Sequence, residues 1–232
     1  MSASIDRVTD EITKCPRLQA LCDHVSPRLG NDPGHDLAHS LRVAAWTLEL
    51  GGAELDTRCA IAAALLHDIV NPPKHARERE LASERSAEVA RELLPEYGFL
   101  EAEVNEIADA IRTHSFSRRE QPTTLLGRAL QDADRLEALG VLGTFRAISA
   151  GTRMGSRYTH ERDPWARERD LDDTRYCVDH FFTKLLGLEA TMQTAKGRTE
   201  AKRRTAFMRA LLSQLGEELG VPFPGDGCSG SV

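Results

Sequence analysis

Apolar residues in this chain return every three or four positions, and nowhere do they alternate with polar ones for long enough to make a strand. That single period dictates a helical chain, and an aromatic content of only 5% points the same way. Leu37, Leu41, Ala44, Ala45 and Leu48 share one face of a helix over about 35–50, closed by Gly51 and Gly52. A second and more apolar helix spans 55–70 and stops at Asn71-Pro72-Pro73. Further helices are expected over 83–94 (stopped by Pro95), 101–113, 123–139 and 141–149, with Gly140 and Gly143 marking a break between the last two. Residues 150–173 lack an apolar period and read as a long loop of the kind that covers a site. Helices over 174–192 and 200–219 follow, and the Pro/Gly/Ser-rich stretch from Val221 reads as a frayed tail. The expectation is one all-α domain over 1–220, with a core at about 20–150, C-terminal helices over 174–219 and a flexible tail over 221–232.

At 232 residues the chain has ample length for a hydrophobic core. Its 30 basic against 36 acidic side chains leave a net charge of −6, a poor balance for coating a nucleic-acid polymer but no obstacle to a small phosphorylated ligand. The longest apolar run, 60–66, falls far short of the roughly 20 residues a bilayer demands. A polar N-terminus without an apolar stretch predicts no signal peptide. Five cysteines with no Cys-x-x-Cys pair fit a reducing cytoplasm better than a disulfide framework.

Three short stretches carry the chemistry. His35, Asp36, His39 and Arg42 lie in the first, at the opening of a helix; His67-Asp68 ends the apolar run that begins at Ile61; Gln131-Asp132-Ala133-Asp134-Arg135 sits within a helix. A histidine and an aspartate closing an apolar helix are costly unless something neutralises them, and a divalent cation does so because imidazole nitrogen and carboxylate oxygen both ligate it. Each residue alone also has a plainer reading: Asp68 as a surface carboxylate, His39 as a satisfied core histidine, Asp134 as part of a solvated charged face.

Taken in order, histidine, then histidine-aspartate, then aspartate on successive helices, the set resembles the HD superfamily of metal-dependent phosphohydrolases. GHDLAHSLRVA, ALLHDIVNPPK, IRTHSF and LQDADRLEALGVLGTFRA are similar to its small bacterial single-domain branch, as are HFFTKLLGLEATMQTAKGR and the KRRTAFM helix. The resemblance covers about residues 20–215. It implies an all-α helical bundle with a metal site between its central helices and one divalent ion (Mn, Mg, Fe, Co or Ni) held by His39, His67, Asp68 and Asp134. It implies hydrolysis of a phosphate ester or phosphoanhydride, foremost that of a nucleotide.

Around that set, Lys74, Arg42, His35 and His114 are the expected substrate-binding side chains. Asp68, His114 and Asp36 are the expected catalytic ones. Arg77, Arg79 and Arg118 read instead as solvated surface. The acidic residue that many HD enzymes carry four positions after the motif histidine is here Asn71, which cannot take a proton. That departure leaves a second reading, a regulatory nucleotide-binding HD module with little turnover. A homodimer through the C-terminal helices is compatible with the sequence, and no membrane or nucleic-acid partner is expected.

Overall fold

A computed structural model describes residues 4–29, 34–72, 81–118 and 120–225. Among them lie ten α-helices joined by short 3₁₀ turns, with no strand beyond one isolated bridge. The chain divides into two compact units: one runs to Arg135 and includes Gln193–Gly197, the other comprises Leu136–Met192 and the chain from Arg198 onward.

The first unit is built around α4, Thr57–Leu66. Every residue from Cys59 to Leu66 is buried, as a helix apolar on all sides requires. Its run of alanines lets neighbours approach closely. α3 (Leu37–Gly51), α6 (Glu101–His114) and α2 (Pro16–Val25) pack on it, α1 (Ile5–Lys14) packs on α3, and α5 (Ala82–Leu93) packs on α6. α7, Leu125–Glu137, carries Leu126, Ala129, Leu130 and Ala133 buried along one side.

Several boundaries differ from the sequence reading, each for a local reason. α3 begins two residues late because Asp36 turns out to be its N-cap, its Oδ1 accepting the His39 amide at 2.8 Å. α4 ends at Leu66 rather than 70: His67 is its C-cap, and the chain turns with Ile69 N bonded to Leu66 O. Helices α1 and α2 were not anticipated, although Val8 and Ile12, then Leu18, Leu21, Cys22 and Val25, repeat at helical spacing and are buried.

In the second unit α8 runs Gly140–Arg153, opening on Gly140 at φ +72°, a conformation glycine adopts at no steric cost. The helix expected over 174–192 is absent. Cys177 N and Val178 N instead bond to Arg157 O and Tyr158 O, leaving only the short α9 (Asp179–Thr183) and a 3₁₀ stretch, Leu185–Thr191. The preceding segment is held by Trp165, which is buried against Phe223 and donates to Val221 O, and by Arg169, bonded through both terminal nitrogens to buried Asp179. α10, Ala195–Leu219, is longer than expected by five residues at its start. No described helix is long and apolar enough to cross a membrane.

Candidate metal centre

Three helices of the first unit and the turn after α4 bring the sequence-selected residues to one place. From α3 comes His39, fully buried, with its Nε2 3.3 Å from His67 Nε2 and 3.6 Å from Asp134 Oδ1. His67 Nε2 also lies 3.5 Å from Asp68 Oδ2 and 3.9 Å from Asp134 Oδ1. α6 contributes His114, whose Nε2 is 3.6 Å from Asp68 Oδ1. His35 Nε2 stands 3.9 Å from Asp68 Oδ2, at the rim. The two tightest groups, His39 with His67 and Asp134, and His67 with Asp68 and His114, each keep their ligand atoms within 4.8 Å of one another. Both aspartates keep about a quarter of their side chains open to solvent (22% and 26%), while His39 and His67 keep none, so the cluster is reached from its carboxylate side.

Two of the histidines are aimed by the same device. A helix leaves its last carbonyls without partners, and each histidine uses one: His67 Nδ1 donates to Ala64 O at 2.7 Å, and His114 Nδ1 to Ile111 O at 2.6 Å. With the proton held on Nδ1, a neutral ring turns the lone pair of Nε2 toward the carboxylates. Lone pairs facing carboxylate oxygens at these distances repel unless a proton or a cation lies between them. Two helix C-termini, each the negative end of a dipole, point at the same spot.

The charges respond accordingly. Burial would raise the carboxyl of Asp68, yet the neighbouring His67, then His114 and His35, hold it well below the usual carboxylate range. Burial likewise opposes the shift at Asp134, where His67 and His114 keep the carboxyl low. For His114 burial favours the neutral ring, but the hydrogen bond to Asp68 and the charges of Asp68 and Asp134 raise it. This is a preformed nest of anionic oxygens and imidazoles, and its donor set fits a divalent metal ion.

The profile of the HD domain matches residues 36–139, a span holding all of these groups but His35. YpgQ of Bacillus subtilis (strain 168) is 31% identical over 192 residues, 80% of this chain and 85% of YpgQ. The chain belongs to the HD superfamily. Among solved structures it resembles B. subtilis YpgQ in complex with ADP, at 28% identity over 90% of this chain and 96% of that one, with a TM-score of 0.67. It also resembles a predicted HD-superfamily hydrolase from an uncultured Thermotogales bacterium, at 30% identity over 90% and 97%, TM-score 0.61. An HD-superfamily hydrolase from Bacillus thuringiensis is similar as well, at 26% identity over 92% and 98%, TM-score 0.64. With its HD domain and these neighbours, the protein is a metal-dependent hydrolase of that superfamily.

The remaining expected site residues divide. Asp36 is engaged as the cap of α3, so one of its oxygens serves the His39 backbone. Arg42 lies one turn beyond His39 on α3, partly exposed. Lys74 lies outside the described residues, as do Arg77 and Arg79. Arg118 is partly buried and pairs with Glu84 and Glu120, so it is held in ion pairs rather than simply solvated as expected. Asn71 is exposed, just past the turn. Gln131, which stands in the third stretch with no role assigned to it there, is fully buried, and its amide donates to Thr113 O and Glu120 O, clamping the end of α6 beside His114. A buried glutamine next to two aspartates carried no pattern of its own that would have marked it.

Proposed function

We propose that this HD hydrolase cleaves a phosphate ester or phosphoanhydride of a small phosphorylated metabolite, a nucleotide foremost, with His39, His67, Asp68 and Asp134 as its metal ligands. The observation that carries the reading is the gathering of imidazole nitrogens and carboxylate oxygens into two overlapping groups that share His67, and the ADP bound by YpgQ supports the nucleotide class. One divalent ion, drawn from Mn, Mg, Fe, Co and Ni, would supply activation of a water and polarisation of a phosphoryl oxygen. His67 offers its lone pair from a ring held by Ala64 O, and His39 is offered from the capped first turn of α3, so little reorganisation is needed to receive the ion. His114, its Nδ1 donating to Ile111 O, would donate to a phosphoryl or leaving-group oxygen only when its Nε2, beside Asp68, is also protonated. His35, at the rim beside Asp68, would meet the phosphates; Arg42 and Lys74 are the further phosphate contacts that the sequence motifs suggest. The described cysteines are free, which suits a reducing cytoplasm.

Asn71 favours the second reading, a module that binds a nucleotide without turning it over. Release of phosphate and pyrophosphate from a nucleotide panel, with Mn²⁺, Mg²⁺, Co²⁺ or Ni²⁺ added, separates the two. Metal-dependent release by the wild type, reduced about a hundredfold in Asp68→Ala, is the expected result. Tight nucleotide binding with no release would favour the regulatory module, and absence of metal binding would overturn both.

A further inference from the structure

α7 carries two aspartates two positions apart, and they do unrelated work. Two residues on a helix are separated by about 200° of rotation, so if Asp134 faces the histidines, Asp132 faces away from them. Asp132 is fully buried nonetheless. Its carboxylate meets the start of α10: Oδ1 accepts from Gln193 N at 2.8 Å, and Oδ2 accepts from Thr194 N at 2.7 Å and from Thr194 Oγ1 at 2.8 Å. Thr194 Oγ1 in turn accepts the Gly197 amide, and Lys196 ties the same turn to Glu49 at the end of α3. Space is closed as well as bonded: a Cβ on Gly197 would lie 2.5 Å from Asp132 Oδ2. Both oxygens of a buried carboxylate are thus spent on one turn of backbone some sixty residues away in sequence.

We infer that Asp132 is a positioning residue for the metal centre: by latching α7 onto Gln193–Gly197 it sets the rotation and depth of α7, and so the place of Asp134 relative to His39 and His67. The inference rests on the reading of Asp134 as a metal ligand. Neutralising one oxygen of the latch lets α7 turn or slide, and a shift of a few tenths of an ångström at Asp134 is felt in metal affinity before it is felt in folding, because α7 keeps its apolar face.

The test uses Mn²⁺ alone as probe, with free Mn²⁺ counted by electron paramagnetic resonance on the full chain, alongside the melting temperature of each metal-free variant. Asp132→Asn is expected to bind Mn²⁺ about tenfold more weakly than wild type, the range found when groups supporting metal ligands are altered. Gly197→Ala should weaken it in the same direction by displacing Oδ2. Leu18→Ala, a core truncation in α2, should lower the melting temperature and leave Mn²⁺ affinity unchanged. A folded Asp132→Asn with wild-type affinity overturns the inference, and so does a Leu18→Ala that loses as much affinity as Asp132→Asn. Should Asp132→Asn not fold, Thr194→Val, which removes one donor and keeps the carboxylate, is expected to weaken binding a few-fold, and unchanged affinity there overturns the latch. Asp134→Ala separates the two levels. Loss of binding in it with none in Asp132→Asn overturns the latch alone, while retained binding in Asp134→Ala overturns the ligand reading and the latch with it.

Discussion

Cys59 and Asp68 sit at opposite ends of α4, and although burial raises both groups they end up shifted in opposite directions. Asp68 has imidazoles for neighbours, so its carboxylate persists despite burial. Cys59 has none: burial first, then the charge and hydrogen bond of Asp56, push its thiol from an ordinary 9.0 up to about 12. The thiolate is the reactive form, so Cys59 is expected to stay silent toward a disulfide reagent at pH 9 in the native protein and to react once the chain is unfolded. The sign for stability follows from the raised value. The protonated thiol favours the folded state fully below pH 9, and that contribution is lost as pH rises toward about 12. Peptide mapping of the labelled protein checks it, and rapid native labelling at Cys59 would mean that α4 is not the closed central helix described above.

Helix ends carry the site. α3 delivers His39 from its first turn, α4 and α6 deliver His67 and His114 from their last, and in each case the terminus uses a group it would otherwise leave unbonded. Only Asp134 comes from within a helix, and it comes from the helix that carries the Asp132 contact. Asp36 therefore has a definite structural task, separable from any role in proton transfer. Asp36→Ala removes the cap and is expected to cost about 1 kcal/mol in urea unfolding. Asp36→Asn keeps an oxygen that can accept the His39 amide, so stability and turnover should both be close to wild type. If Asp36→Asn were stable but lost turnover, the carboxylate would have to act on the substrate rather than on α3.

At the scale of the molecule, a preformed nest of like-charged oxygens is a liability without its cation and a source of stability with it. Binding to the folded state alone contributes about 2.7 kcal/mol at a ligand concentration a hundred times Kd. Mn²⁺ should accordingly raise the melting temperature of the wild type and leave Asp134→Ala unmoved, as followed by circular dichroism. The helical class, and the residues able to ligate, were legible along the chain, because period and side-chain chemistry are properties of neighbours in sequence: His39, His67, Asp68, His114 and Asp134 all meet where the motifs pointed. The same local signal misjudged 174–192, whose backbone bonds to Arg157 and Tyr158 replace helical ones, and it extended α4 through His67 and Asp68, which leave the helix to face the cluster. Asp132 and Asp134 look alike in the sequence. The resemblance gave Asp134 to the histidines, but only the tertiary structure gives Asp132 to Thr194, because a hydrogen bond across sixty residues leaves no mark on either stretch that makes it.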